Sequence, residues 1–187
     1  MEVKKIVRFY FKENFFNASK STIDVFNEND EAVYKMQLFY TSATQEAFAI
    51  FGGKGKQNFE ITDGHDTYRI TQEKAISGKI KTPFKTVWDV DKNGNKFGVF
   101  RTKMGLKPTM LFEGSQGDTL KFQSGFISRS VSVNDGRNEI MNTKSQRFKI
   151  ASRHDIDIHT DEYHPAMLIM LFQVFYEFQE QQRRKSS

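Results

Sequence analysis

The sequence predicts a mainly β fold, a closed antiparallel barrel of about twelve strands around a central hydrophobic C-terminal α-helix. Three observations predict it. Apolar and polar residues alternate with period two along most of the chain, and the alternation breaks at Asn-Gly and Asp-Gly pairs that favour tight hairpins. After Pro165 the pattern gives way to a run, Ala166–Phe178, in which only Gln173 and Glu177 are not apolar. Met167 to Phe172 cover every side of a helix, and a helix apolar all round has to be surrounded.

The elements follow in order. "STIDVFNENDEAVYKMQLF" sets Ile23 and Val25 on one face, turns at Asn27–Asp30, and resumes with Tyr34, Met36 and Leu38. "NFEITDGHDTYRITQ" repeats this with Phe59 and Ile61, a turn at Asp63-Gly64, then Tyr68 and Ile70. "KTVWDVDKNGNKFGVFRTK" turns at Asn93-Gly94, and "SRSVSVNDGRNEIMNTK" at Asp135-Gly136. "TLKFQSG", "SQRFKIAS" and "RHDIDIHTD" alternate as well, which gives ten to twelve strands before Pro165. Ile23-Asp24-Val25 and Trp88-Asp89-Val90 look alike and suggest two related halves. Of the three prolines, Pro83 and Pro108 fit loops, while Pro165 fits the first turn of a helix, where its missing N–H needs no partner.

A spanning helix needs about 20 mostly apolar residues, and the run from Ala166 to Phe178 is shorter than that and interrupted. It reads as a core helix over about residues 166–180. Gln173 and Glu177, four apart, are expected at the rim, and "QEQQRRK" is expected in water, with Arg183, Arg184 and Lys185 at the negative end of the helix dipole. Closing the strands removes exposed sheet edges, and the helix fills the interior. Residues 1–187 form a single domain, because no Pro/Gly/Ser-rich linker divides them.

With these elements in place the chain resembles the LURP-one-related (YxjI-like) proteins, a small bacterial and plant branch of the tubby C-terminal-domain-like superfamily and cousins of the phospholipid scramblases. The residues that carry the resemblance are "YFKENFF" (Tyr10–Phe16), strand–turn–strand units such as "DVDKNGNKFGVF", and a strand running into "AMLIMLFQVFYEF". The resemblance implies a twelve-stranded barrel around a C-terminal helix. It also implies a role of the tubby or scramblase kind, at phosphoinositides or phospholipid membranes. Scramblases carry acylated cysteines, and this chain has no cysteine.

Composition narrows the chemistry. Without cysteine there is no disulfide framework, thiol nucleophile or Cys-based zinc site. The start, "MEVKKIVRFYFKEN", lacks a long apolar run and a small-residue cleavage site, so no signal peptide is expected and the location is cytoplasmic, at most membrane-peripheral. Nineteen phenylalanines indicate an aromatic core rather than disorder. The net charge of +5 suits anionic partners, and no nucleic-acid recognition motif accompanies it.

Four stretches carry candidate chemistry. "DVDKNGNKFGVF" begins like a calcium loop with Asp89, Asp91 and Asn93, but Phe100 stands where a chelating glutamate belongs, and a hairpin turn at Asn93-Gly94 explains the same residues. In "RHDIDIHTDEYH", Asp155, Asp157, His159 and Asp161 share a strand face opposite Ile156 and Ile158. That face is either a metal site, drawing also on His154, or a solvated side leading into a helix N-terminus. "FGGKGKQ" (Phe51–Gln57) fails the P-loop spacing and reads as a loop. Finally, Lys79–Pro108 holds Lys79, Lys81, Lys85, Lys92, Lys96, Arg101, Lys103 and Lys107 against Asp89 and Asp91, eight minus two, or +6. From that set Lys79, Lys81, Lys85, Arg101, Lys103 and Lys107 are the candidate ligands for an anionic partner.

The expectation is therefore a non-enzymatic barrel that binds an anionic phospholipid or phosphoinositide-like ligand peripherally, with no catalytic residue, cofactor or transmembrane span. The alternatives are a protein-interaction or stress-related structural module, and a metal-dependent hydrolase built on the His154–His164 cluster.

Overall fold

Alternation becomes a ring when each strand turns its apolar side the same way. In the computed structural model, which describes residues 6–14, 22–44, 58–73, 86–103, 107–125, 130–147 and 151–185, that ring closes. The strands are β1 (Val7–Asn14), β2 (Thr22–Asn27), β3 (Ala32–Leu38), β4 (Phe59–Thr62), β5 (Thr67–Gln72), β6 (Val87–Lys92), β7 (Asn95–Lys103), β8 (Thr109–Gly114), β9 (Thr119–Ser124), β10 (Ser130–Asn134), β11 (Glu139–Arg147) and β12 (Ala151–Ile158). One helix follows, α1 (Pro165–Lys185). Each strand pairs antiparallel with its neighbours in the chain, and β1 closes on β12 from Val7↔Ile158 to Asn14↔Ala151. Closure leaves no unpaired edge among these strands.

The turns follow from their residues. Asn93 (φ 51°) and Gly94 (φ 79°) form a two-residue loop with positive φ at both positions, the mirror-image turn whose twist matches its strands. The four-residue loops at Asp63 and Asp135 share one device. Asp63 Oδ1 accepts the N–H groups of His65 and Asp66, both at 2.8 Å, and Asp135 Oδ1 accepts those of Arg137 and Asn138, both at 2.7 Å.

The strand registers shift after Val25, after Val90 and after Val133, just before the turns of β2–β3, β6–β7 and β10–β11. Such bulges sharpen local twist and help a sheet curl. The likeness of β2 and β6 thus belongs to a feature recurring every fourth strand, three times around the ring, rather than to two halves. Of "SQRFKIAS", Ser145–Arg147 end β11 and Ala151 and Ser152 open β12, while residues 148–150 lie outside the described residues.

Twelve strands enclose more room than inward side chains alone can fill, and a helix about 10–12 Å across occupies it. Ala166 to Tyr176 are buried throughout, against Phe11, Ile61, Ile70, Trp88, Phe100, Phe112 and Phe122 among others. Two details of the tail differ from the sequence reading. Gln173 is fully buried rather than at the rim, and Gln179 and Glu180 are buried rather than in water. Each has a partner: the barrel supplies Glu13 for Gln173 and Ser124 for Gln179, and the helix itself supplies Arg183, one turn along, for Glu180.

Candidate functional site

An up-and-down barrel sends its connections alternately to two ends. At one end lie residues 28–31, 63–66, 93–94, 115–118, 135–138 and 159–164, the last leading into α1. They carry nine acids (Glu28, Asp30, Glu31, Asp63, Asp66, Asp118, Asp135, Asp161 and Glu162) against Arg137 alone, or −8. The strands of the other end are joined by residues 15–21, 39–58, 73–86, 104–108, 125–129 and 148–150. By sequence those stretches hold ten bases (Lys20, Lys54, Lys56, Lys74, Lys79, Lys81, Lys85, Lys107, Arg129 and Lys149) against Glu46 and Glu73, or +8, and of these twelve only Lys107 and Glu73 are among the described residues. α1 also finishes at this end, with Arg183, Arg184 and Lys185 in its last turn.

Of the six candidate anion ligands, three are among the described residues, Arg101, Lys103 and Lys107. Lys103 ends β7 and Lys107 precedes β8, and both are exposed. Arg101 points outward one step inside the barrel and is already paired with Glu113 on β8. Lys79, Lys81 and Lys85 lie outside the described residues, as does "FGGKGKQ". Lys107 also stands beside a shallow groove of about 300 Å³ over β9–β11, lined by Gln123, Ser130, Ser132, Glu139 and Asn142.

The calcium-like residues are used by the hairpin. Asn93 Oδ1 accepts Thr67 N–H at 2.8 Å, its amide donates to Asp66 at 2.8 Å, Lys96 pairs with Asp89 at 3.3 Å, and Phe100 is buried. In "RHDIDIHTDEYH" the strand separates the candidate metal ligands. Asp155 and Asp157 face outward and pair with Arg153 (2.9 Å) and Arg8 (3.4 Å). His154 points into the barrel with Ile156 and Ile158, and His159 contacts Asn142 at 2.8 Å. No group of three metal-ligating residues forms among the described residues. The N-terminus of α1 is capped by His164, whose Nδ1 accepts Ala166 N–H at 3.3 Å while Nε2 lies 3.6 Å from Asp63.

The described interior is polarised between the two ends. Asn58, Thr102, Thr109, Ser124, Thr143, Ser145, Ser152, His154, Gln173, Gln179 and Glu180 are the buried polar residues described, and all lie between the barrel's midline and its basic end. At their centre Ser145 Oγ meets His154 Nδ1 at 2.8 Å, and His154 Nε2 lies 3.6 Å from Glu13. Serine, histidine and a carboxylate in series have the connectivity of a hydrolytic triad. Here the imidazole is fully buried, with ring centroids of Phe11, Phe172 and Tyr176 at 4.7, 5.5 and 4.5 Å, so no ester or peptide can reach the serine from its side. Burial pushes His154 down to about 4, against the pull of Glu177, Asp155 and Glu180. The histidine is thus a neutral hydrogen-bonding group at ordinary pH.

Sequence reasoning missed this cluster. The signal for Glu13 was present: Phe9, Phe11 and Glu13 alternate on one side of β1, so a carboxylate follows two core aromatics inward. For Ser145 and Gln173 no local signal exists, because their partners are far away in the chain.

Among the described residues no helix is long and apolar enough to cross a membrane. The family model described as the Tubby C-terminal like domain matches residues 9–178. No curated protein and no solved structure matches the chain.

Proposed function

Since the chain belongs to the Tubby C-terminal like domain family, we propose that it is a non-enzymatic barrel that binds anionic phospholipid or phosphoinositide-like head groups peripherally, through its basic end. Within the family we place it with the LURP-one-related (YxjI-like) proteins, on "YFKENFF" and the strand leading into "AMLIMLFQVFYEF". The observation that carries the proposal is the charge separation, −8 in the connections of one end and +8 in those of the other. A bilayer with anionic lipid attracts nearby Lys and Arg at roughly 1 kcal/mol each, within a Debye length of about 8 Å at physiological salt. A barrel charged in this way approaches such a surface basic end first. Lys79, Lys81, Lys85, Lys103 and Lys107 supply the contacts, with Arg101 contributing least because Glu113 already neutralises it. The hydroxyls and amides of the groove beside Lys107 suit the polyol part of a head group.

Co-sedimentation with liposomes tests this. The protein should pellet with vesicles containing anionic lipid, stay in solution with neutral ones, and dissociate at high salt. Replacing Lys81, Lys85 and Lys103 by Glu should abolish binding while the melting transition is retained. Equal sedimentation of the wild type and this variant would leave an interaction module as the better reading.

A further inference from the structure

Three buried polar atoms belong to side chains of α1, β1 and β12 that neighbour one another through Glu13, and none has a hydrogen-bond partner among the described residues: Glu13 Oε2, His154 Nε2 and Gln173 Oε1. Their side chains are otherwise well held. Gln173 Nε2 donates to Glu13 Oε1 at 3.1 Å, and Ser145 Oγ meets His154 Nδ1 at 2.8 Å. His154 and Gln173 are fully buried. Buried polar atoms left without partners are costly, so three on neighbouring side chains call for an occupant.

The donors and acceptors define that occupant. With the Ser145 hydroxyl donating to Nδ1, the imidazole carries its proton on Nε2, aimed towards Glu13. At 3.6 Å from Glu13 Oε2 that N–H is too far for a good direct bond. What remains is one donor, His154 Nε2–H, and two acceptors, Glu13 Oε2 and Gln173 Oε1. A water molecule offers the complement, one acceptor and two donors, and buried waters typically make about three such bonds. We propose that Glu13, His154 and Gln173 bind one internal water that joins the barrel wall to the central helix.

The site ties β1, β12 and α1 together through a single molecule and sets the depth of the helix at Gln173. It lies in the polar half of the interior, and the Glu13 side chain, 16% exposed, connects it to the basic end. The proposal is independent of lipid binding, because no residue of the basic surface takes part.

A high-resolution crystal structure of the full chain, with anomalous data, tests it alongside NMR of ¹⁵N-histidine-labelled protein. The expected result is one oxygen peak without anomalous signal, within hydrogen-bonding distance of all three atoms. His154 should show the Nε2–H tautomer, with an exchange-resistant cross-peak from that proton to a bound water. In Gln173→Met both the peak and the cross-peak should be lost. Should that variant fail to fold, the wild-type crystal and spectrum decide alone. An anomalous peak would overturn the proposal in favour of a metal ion. A direct Glu13–His154 bond with no oxygen between, or the Nδ1–H tautomer, would overturn it as well.

Discussion

At the acidic end of the barrel the connections are two to six residues long, their aspartates bind their own turn N–H groups, and the interior beneath them contains none of the buried polar residues. At the basic end the connections run from three to twenty residues, and serines, threonines, a histidine and glutamines are buried below them. The same strands pass through both halves, so strand propensity does not account for the difference. Short turns fix register and leave little to vary, so the acidic end is where the fold is specified. Longer connections and a polar interior are where an all-β scaffold can carry binding.

The largest effect that sharpens this comparison is expected in the apolar core. Leu171 is fully buried in α1, and Leu171→Asp buries an unpaired charge at more than about 4 kcal/mol. The variant should be insoluble on expression. A soluble, cooperatively melting product would mean that the helix does not form the core.

The polar half should show itself through pH. His154 is held at about 4 in the fold against 6.5 when unfolded, so between these values the unfolded chain binds the extra proton. Stability from this group is complete above pH 6.5, falls as pH drops towards 4, and changes no further below that. The gap corresponds to roughly 3 kcal/mol. Denaturant melts at several pH values should show the loss in wild type and a flatter curve in His154→Gln. The acidic end has a different window. Asp63 and Asp135 are held below 3.8 by their turn N–H groups, so what they contribute is lost only as pH falls below that value.

Close approach near the acidic end gives the next effect. A Cβ on Gly98 would lie 2.6 Å from the Glu113 carbonyl oxygen and from the Phe112 ring. The carbonyl is backbone and cannot swing away, so Gly98→Val should cost about 1–3 kcal/mol by thermal melting. The smallest is Gly94→Ala. Nothing lies within 4 Å of the new methyl, and only the positive φ of 79° opposes it, at about 1 kcal/mol. A loss much larger than this would mean that the turn also packs against something.

Much of the acidic half was legible in the sequence, because its determinants are local. Asn93-Gly94, Asp63-Gly64 and Asp135-Gly136 announce their turns. The hairpin of β8 and β9 was only half read: "TLKFQSG" stood out, while "TMLFEG" and the turn through Gly117 (φ 90°) did not, since Gly117 lacks a preceding Asn or Asp. The tail was read as a core helix from its all-round apolarity. Its buried polar residues are expected at the rim or in water, because nothing in the tail itself reveals that Glu13 and Ser124 lie across from Gln173 and Gln179. The charge separation was partly visible as the basic stretch Lys79–Pro108. Its full extent needed the topology, which sorts twelve scattered connections between two ends.

The measurement that bears most directly on this account is liposome binding of two charge-reversal pairs that leave the core untouched. One is Lys103→Glu with Lys107→Glu at the basic end, and the other is Glu28→Lys with Asp161→Lys at the acidic end. All four residues are exposed, so both pairs should melt like wild type. The account predicts that the first pair weakens binding to anionic vesicles by at least about tenfold, while the second leaves it unchanged or slightly stronger. Equal loss from both pairs, or loss only from the acidic-end pair, would contradict it.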